Sequence, residues 1–358
     1  MAQQNSMKQN PGNFFEDFRL GQVIRHATPR TVTSGDQALY TALYGSRFAL
    51  QSSAVFAEAC GLPAAPVDDL LAFHIVFGKT VPDISLNAVA NLGYAEGRFL
   101  APVYPGDTLS AQSEVIGLKE NSNGKTGVVY VRSRGVNQHG EPVAEYVRWV
   151  MVKKGDAAAP APDPVVPKLA GTVAPDNLAV PEGLDFSRFD FEAAGAPHRW
   201  GDYAVGEQID HGDAMTIEEA EHQLATRLYQ NTARVHFNQH AESKGRFGRR
   251  IVYGGHVISL ARALSFNGLG SAVKLAAINA GSHTGPSFGG DTIYAWSEVL
   301  EKIEIPGRGD LGALRLRTVA AKDLTCGVFP LTAVGEEGRG GYHPAVVLDL
   351  DYTVLLPR

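Results

Sequence analysis

The residues with the clearest chemical potential form a short loop in the second half of the chain, which contains Asn231, Arg234 and His236. Histidine is the side chain whose ordinary pKa lies close to neutral pH, so His236 is a candidate acid and base. A guanidinium binds a carboxylate through paired hydrogen bonds, which makes Arg234 a candidate carboxylate clamp. The alternatives are a structural histidine held by backbone groups and a surface ion pair between Arg234 and Glu242.

Two glycines, Gly254 and Gly255, begin an apolar segment that is predicted to form a helix as far as Leu264. The unpaired N–H groups and the positive dipole end of a helix N-terminus stabilise developing negative charge. Gly255 N–H is therefore the candidate oxyanion donor, and Gly254 and Tyr253 are placed beside it in the candidate substrate site. Close packing of the helix on a sheet is a second reason for two glycines here.

The sequence contains two copies of one pattern, offset by 185 positions, and this duplication supplies the elements that must position the loop. Residues 17–44 align with residues 202–229 without a gap and with many identities. Two fused copies of one fold are therefore predicted. The first copy lacks the loop histidine and the two glycines, and has residues such as Ser52 and Phe73 in their place. One active site, in the second copy, is predicted.

The same order of elements is predicted in each copy. A helix begins near Ser34 in the first copy and near Thr216 in the second, where the spacing of Thr216 and Glu219 is typical of a capping box. An apolar helix follows, over residues 70–77 and 254–264, and alternating strands close each copy. This order predicts an α+β fold in which an antiparallel sheet wraps around a central helix.

Four regions are predicted along the chain. Residues 1–12 are expected to be a disordered N-terminus, residues 13–154 the non-catalytic N-terminal domain, and residues 198–358 the catalytic C-terminal domain. Residues 155–197 between them are rich in Ala and Pro at their start, which is typical of an extended linker without a core of its own.

Composition excludes several classes of function. The chain has 358 residues, 44% of them hydrophobic, and a net charge of −6, which gives no electrostatic case for nucleic acid or an anionic membrane as partner. Cys60 and Cys326 lie in different copies, outside any CxxC pattern, so neither a disulfide nor a zinc site is predicted and each is interpreted as a core or surface thiol. His240, four residues after His236, has no third ligand at suitable spacing, so no metal is expected. With a polar N-terminus and no long apolar run, we expect a cytoplasmic protein without a membrane span.

The loop and the helix after it resemble the MaoC-like, R-specific enoyl-CoA hydratases, whose signature is Asp-x-Asn-Pro-x-His, a small residue downstream and a glycine that opens the buried helix. Residues 228–236 match the frame, Ala241 matches the small residue and residues 252–256 match the helix opening. Long stretches, including residues 13–21, 73–85 and 228–238, resemble the mesaconyl-CoA hydratase (β-methylmalyl-CoA dehydratase) family of the ethylmalonyl-CoA pathway. The resemblance spans nearly the whole chain and implies a double hot-dog fold.

The resemblance also implies a reaction: hydration of an α,β-unsaturated CoA thioester, with His236 as acid and base, Asn231 positioning the water and Gly255 holding the oxyanion. The family has its catalytic Asp where this chain has Asn231, which cannot ionise near neutral pH. A carboxylate of the substrate is a second candidate for the missing proton carrier. Arg249 and Arg250, in a basic run that begins at Lys244, are candidates for binding the CoA phosphates, or belong to a solvated loop.

Two alternative functions stay open from the sequence. One is a MaoC-type hydratase of a plain 2-enoyl-CoA, and the other is a non-catalytic acyl-CoA-binding module, which the missing Asp favours. No organic cofactor or metal is expected, because CoA is part of the substrate. We expect a homo-oligomer, because hot-dog sheets commonly pair.

Overall fold

A computed structural model gives the fold and describes residues 8–325 and 341–358. In these residues the first copy forms β1 (Val23–Thr31), α1 (Ser34–Tyr44), α2 (Ala49–Ser52), α3 (Ala54–Ala59), α4 (Asp69–Thr80), β2 (Ala88–Phe99), β3 (Thr108–Glu120), β4 (Thr126–Val136) and β5 (Pro142–Lys153). The second copy forms β6 (Gln208–Thr216), α5 (Glu219–Leu228), α6 (Arg234–Phe237), α7 (Gln239–Glu242), α8 (Gly254–Leu264), α9 (Phe266–Leu269), β7 (Lys274–Ser282), β8 (Thr292–Glu304), β9 (Leu311–Lys322) and β10 (Val346–Pro357). The α+β class and both apolar helices are confirmed.

One antiparallel sheet runs through both copies. The strand order is β1-β3-β4-β5-β2-β7-β10-β9-β8-β6, so each copy contributes five strands and the order of one copy mirrors that of the other. The copies join where β2 pairs with β7, with Tyr94 opposite Gly281 and Arg98 opposite Ala277. An edge strand of each copy is therefore hydrogen-bonded to the other at the centre of the ten-stranded sheet, and the first copy reaches the second through its sheet.

The two long helices, α4 and α8, lie on the inner face of this sheet. Helix α4 packs on β1, β3, β4 and β5, whereas α8 packs on β6, β8, β9 and β10. Residues 70–80 and 255–264 are all buried, as expected for helices enclosed on every side. Gly78 allows the closest approach, because a Cβ there would lie 1.9 Å from the carbonyl oxygen of Tyr229 in the other copy.

Equivalent residues of the two copies meet at the centre of the molecule. The Tyr44 and Tyr229 hydroxyls, one offset of 185 residues apart, hydrogen bond at 2.7 Å. His74 Nε2 and Ser259 Oγ, separated by the same offset, lie 2.9 Å apart. These four buried side chains thus satisfy one another, as burial of polar groups requires.

Residues 155–197 differ from the extended linker without a core that the composition suggested. The segment contains two short 3₁₀ turns, at Pro175–Asn177 and Phe186–Arg188, and Phe186 and Phe189 are buried in an apolar cluster with residues of both copies. The Ala and Pro residues at its start are typical of a linker, but the later aromatic residues are buried. Their burial offsets the entropy lost on ordering the segment.

The capping box predicted at Thr216 is wrong. Thr216 is the last residue of β6, and its hydroxyl hydrogen bonds with that of Thr292 at 2.9 Å across the sheet. In the first copy the N-cap of α1 is Thr33, which accepts a hydrogen bond from Asp36 N–H. The spacing of Thr216 and Glu219 satisfied the sequence rule, but pairing in the sheet holds Thr216 in extended backbone.

The structure also bears on the N-terminus, the thiols and the prediction of no membrane span. Residues 1–7, within the segment predicted to be disordered, and Cys326 lie outside the described residues. Asn87 Nδ2 donates a hydrogen bond to Pro11 O at 3.1 Å, so the region before residue 13 has contacts with the first copy. The thiol of Cys60 is buried. None of the helices in the described ranges has the length and apolar composition needed to cross a bilayer.

Candidate active site

A cavity of about 340 Å³ lies between the two copies. Its lining includes Asn231, His236 and Gly254 from the second copy, and Phe77 and Arg148 from the first. A larger cleft of about 690 Å³, between residues 15–20 and 159–165, has no imidazole or thiol in its lining. The cavity between the copies is therefore the candidate active site, and the loop and the helix predicted from the sequence meet there.

His236 lies in the cavity wall on α6, with its tautomer set by the backbone. Its Nδ1 is 2.9 Å from the carbonyl oxygen of Ile251, which accepts the Nδ1 proton. The Nε2 atom then carries the lone pair and is a proton acceptor. Burial lowers the pKa of His236 to about 4, partly opposed by the Ile251 hydrogen bond. The imidazole is neutral at pH 7, as a general base must be.

Asn231 is buried beside His236 and is fixed by its own turn. Its Oδ1 accepts a hydrogen bond from Ala233 N–H at 3.1 Å, and its backbone N–H donates to Thr226 O at 2.9 Å. Because Oδ1 is the acceptor, the other polar atom of the amide, Nδ2, can only donate. No Asp or Glu belongs to the described lining of the cavity. The carboxylate that Asn231 replaces thus has no substitute among these lining residues.

Helix α8 begins at the wall of the same cavity. Gly254 lines the cavity, whereas Gly255, the predicted oxyanion donor, is buried just behind it. The N-cap, Tyr253, makes no side-chain capping hydrogen bond. A Cβ at Gly254 would lie 2.3 Å from the His283 ring, and one at Gly255 would lie 2.4 Å from the Tyr253 ring. Both readings of the glycines are compatible with this geometry, because packing and access to backbone N–H groups each require them.

The corresponding helix of the first copy has a different N-terminus. Helix α4 begins at Asp69, one offset of 185 before Gly254, so Asp69 and Leu70, and not Phe73, occupy the places of the two glycines. Asp68 caps α4 by accepting Leu70 N–H at 2.9 Å, and Asp69 forms an ion pair with Lys274. Acidic side chains thus occupy the positive end of α4, which leaves no place for an oxyanion.

The helix starts fix two further equivalences between the copies. His74 corresponds to Ser259 and not to His256, since α4 and α8 are aligned from their first residues. His236 corresponds to Gln51, which donates a hydrogen bond from Nε2 to Val273 O at 2.9 Å. The first copy therefore has an amide where the second has its imidazole.

The three arginines predicted from the sequence lie outside the described lining of the cavity. Arg234 is exposed and is not part of the cavity lining, because residues two apart on a helical turn face different directions. Arg250 forms an ion pair with Glu219, and the Arg249 guanidinium lies 4.0 Å from the centre of the Phe288 ring. Arg246 is the residue of the basic run that lines the cavity.

Comparison with known proteins identifies the family. The family model described as mesaconyl-CoA hydratase matches residues 2–333. The chain is 67% identical over 353 residues to the β-methylmalyl-CoA dehydratase of Chloroflexus aurantiacus, covering 99% of each chain. It is 64% identical over 352 residues to the mesaconyl-CoA hydratase of Cereibacter sphaeroides, covering 98% of this chain and all of the relative. The chain belongs to the mesaconyl-CoA hydratase family. It is an enzyme of the hydro-lyase class.

Solved structures confirm the double hot-dog fold expected of this family. A putative MaoC domain protein dehydratase from Chloroflexus aurantiacus superposes with a TM-score of 0.95 at 67% identity, with 99% of each chain covered. A Mycobacterium tuberculosis protein with a double hotdog fold superposes with a TM-score of 0.71 at 24% identity, covering 97% of this chain and 99% of that one.

Sequence reasoning missed several members of the cavity lining. His283, just after β7, hydrogen bonds with the Tyr94 hydroxyl at 3.2 Å, and burial, followed by the nearby His236, lowers its pKa to about 4. Tyr94 and Arg148 come from β2 and β5 of the first copy, in which the sequence had singled out no residue for the site. One signal was visible: Arg148 interrupts an apolar strand at a position that alternation places inward with Tyr146 and Val150.

Proposed function

We propose that the chain catalyses the reversible hydration of mesaconyl-CoA (2-methylfumaryl-CoA) to β-methylmalyl-CoA. One observation carries the proposal: a neutral imidazole with a fixed tautomer and an uncapped helix N-terminus line one cavity. The names of the two relatives support the substrate, because both are described by this reaction in one direction or the other.

The proposed reaction begins with His236 Nε2, which takes a proton from water while the water oxygen bonds to the β-carbon. The electron pair of the C=C bond moves toward the α-carbon and the thioester oxygen, which becomes an enolate oxygen. N–H groups of Gly254 and Gly255 hold that oxygen. The His236 imidazolium then returns its proton to the α-carbon, which completes the addition of H and OH. Dehydration follows the same steps in reverse.

Asn231 has a positioning role in this scheme. Its Nδ2 donates to the water oxygen and orients the lone pair of the water toward the β-carbon. Because an amide does not change its protonation state, His236 both removes and returns the proton, and no enzyme carboxylate is required. The scheme uses no organic cofactor or metal.

Coenzyme A is proposed to enter from the side of Arg246, whose guanidinium lies near the exposed Phe247 ring at the edge of the cavity. A guanidinium there suits the CoA phosphates. Arg249 and Arg250 stay candidates for further phosphate contacts. The ethylmalonyl-CoA pathway, the cytoplasm and a homo-oligomeric state remain predictions from the sequence.

The first test is hydration of mesaconyl-CoA by the wild type and by His236→Gln. We expect His236→Gln to lose about 10²- to 10⁴-fold in kcat, the usual contribution of a positioned acid or base. His240→Gln is the matched control, because His240 is exposed four residues away and should be neutral. An inactive wild type that still binds acyl-CoA would favour the binding-module alternative, and full activity in His236→Gln would refute the role of His236.

A further inference from the structure

Arg148 is the least expected member of the cavity lining. It lies on β5 of the first copy, in the middle of the sheet, and its relative exposure is 0%. A buried guanidinium is costly, because the charge loses its hydration and needs hydrogen bonds and a counter-ion to compensate. The contacts of Arg148 therefore decide whether the fold or a ligand supplies that compensation.

The fold supplies only part of it. Nη2 of Arg148 donates to Thr80 Oγ1 at 2.8 Å and to Ser85 Oγ at 3.3 Å, and the guanidinium lies 4.3 Å from the centre of the Phe77 ring. Among the described residues, Nε and Nη1 have no hydrogen-bond partner. Those two nitrogens carry three of the five N–H bonds of the side chain. More than half of its donors are thus without an acceptor.

The described surroundings also lack a counter-ion for Arg148. The groups that act on its charge are the phenols of Tyr146, Tyr94 and Tyr253, and burial raises the pKa of each, so all three are neutral at pH 7. Arg262, a second buried arginine, differs because Asp68 and Asp69 act on its charge. Arg148 is thus a buried cation that faces a cavity instead of an acid.

A second polar side chain of the cavity wall also has buried atoms without a hydrogen-bond partner among the described residues. Asn91 lies on β2, next to β5 in the sheet, and both its Nδ2 and its Oδ1 are buried without a partner among the described residues. Unsatisfied buried polar atoms are rare in folded proteins, and two neighbouring cases in one cavity indicate a polar ligand. Donors from Nε, Nη1 and Nδ2 suit an anion with several acceptor atoms, and a carboxylate fits this description.

Ring contacts connect Arg148 to the reacting groups along the cavity wall. The His236 and Tyr253 rings are 5.6 Å apart between centres, and the Tyr253 and Phe77 rings are 5.5 Å apart. The Arg148 guanidinium in turn lies 4.3 Å from the centre of the Phe77 ring. A substrate whose CoA lies toward Arg246 and whose thioester lies at α8 therefore extends its acyl end toward Arg148.

We propose that Arg148 and Asn91 bind the free carboxylate of the acyl group, so that the first copy selects the substrate for the reaction of the second. The inference rests on the proposed function and names its specificity site. It assigns to Arg148 the clamp role that the sequence suggested for the exposed Arg234.

The test compares mesaconyl-CoA with 2-methylcrotonyl-CoA, in which a methyl group stands in place of the carboxylate. Wild-type enzyme should favour mesaconyl-CoA in kcat/KM by about 100-fold or more. Binding of 2-methylcrotonyl-CoA would leave the buried donors unpaired, which disfavours the analogue. Arg148→Met should lose most of that preference because its kcat/KM for mesaconyl-CoA falls. Its kcat/KM for 2-methylcrotonyl-CoA should change by less than about threefold. Arg234→Met is the matched control and should keep the wild-type preference.

Two further variants guard against a folding defect. Arg148→Lys keeps the charge but loses the planar donors, and Asn91→Leu removes the amide; each should lower the preference by about tenfold. Equal losses on both substrates, or an unchanged preference in every soluble variant, would overturn the proposal.

Binding of unreactive analogues separates the two proposals. Succinyl-CoA should bind the wild type more tightly than butyryl-CoA by about 100-fold, and Arg148→Met should remove the difference, as measured by calorimetry. An enzyme that shows this difference but hydrates neither substrate would refute the proposed reaction and retain the carboxylate site. An active hydratase with equal affinities would refute the site and retain the reaction.

Discussion

One imidazole performs both proton transfers in the proposed reaction, and its surroundings are arranged for that work. The Ile251 carbonyl holds the proton on Nδ1 of His236, so Nε2 meets the water as an acceptor. Asn231, at the position where the MaoC-like signature has an Asp, provides no negative charge that would raise the pKa of the imidazole. Burial lowers the pKa of His236, and no acid in the described lining opposes that effect.

The pH dependence of the rate tests this arrangement. Burial lowers the pKa of His236 to about 4, so the imidazole stays neutral, and competent as a base, far below the ordinary pKa of about 6.5. We expect kcat/KM for mesaconyl-CoA to change by less than about twofold between pH 7.5 and pH 5.5. A histidine with an ordinary pKa would lose about tenfold over the same interval. Enzyme returned from pH 5.5 to pH 7.5 must recover full activity, which excludes acid unfolding as the cause of any loss.

Sequence reasoning could bring together residues whose proximity depends on local geometry. His236, Asn231 and Gly254 come together because one loop and one helix start carry them, and both could be recognised along the chain. Arg234 lies outside the cavity lining because two positions along a helical turn separate it from the face of His236. Arg148 and His283 were missed because their meeting depends on which strands of two copies become neighbours, and spacing along the chain does not reveal that.

At the scale of elements, the starts of α4 and α8 separate the two copies chemically. Both helices are buried and equivalent, yet α4 begins with an aspartate that caps it and a second aspartate in an ion pair, whereas α8 begins with two glycines and no side-chain cap. The bounds of both helices followed closely from their apolar runs. The cap chemistry was misjudged because an alignment without coordinates placed Phe73 at the start of α4.

The contact between α4 and the second copy gives a prediction about stability. In an open helix, Gly→Ala stabilises by about 1 kcal/mol. At Gly78 we expect the opposite sign, a loss of at least about 1–3 kcal/mol, because the new Cβ would lie 1.9 Å from the Tyr229 carbonyl oxygen. Urea unfolding of Gly78→Ala measures the change. Gly309→Ala is the control, since a Cβ there meets nothing within 4 Å, and a more stable Gly78→Ala protein would contradict this packing.

At the scale of the whole molecule, the duplication produces one sheet, one buried interface and one cavity with walls from both copies. The sequence indicated a catalytic copy and a copy without the catalytic loop. Tyr94, Phe77 and Arg148 show that the first copy also forms the cavity, since β2 pairs with β7 and brings its side chains beside His283. The inner face of the first copy, which has no loop histidine, thus forms one wall of the cavity that contains His236.

Burial of so many imidazoles has a consequence for the whole fold. Burial lowers the pKa of His74 and of His256 to about 3, and that of His211, His236 and His283 to about 4. In the unfolded chain each would titrate near 6.5. Between these values the unfolded state binds more protons, so the stabilisation is complete above pH 6.5 and is lost as the pH falls toward 4.

We therefore expect the free energy of unfolding to fall by several kcal/mol between pH 7.5 and pH 5.5, since each such histidine contributes about 1.4 kcal/mol per pH unit below 6.5. Asp68, whose pKa burial raises to about 6, opposes this trend as a single group. Urea unfolding at both pH values measures the difference. His211→Gln, which removes a buried imidazole that hydrogen bonds Ser297 and Asn267, should have a shallower pH dependence, while His240→Gln at the surface should match the wild type. Equal stability at the two pH values would show that these imidazoles are protonated as readily in the folded as in the unfolded chain.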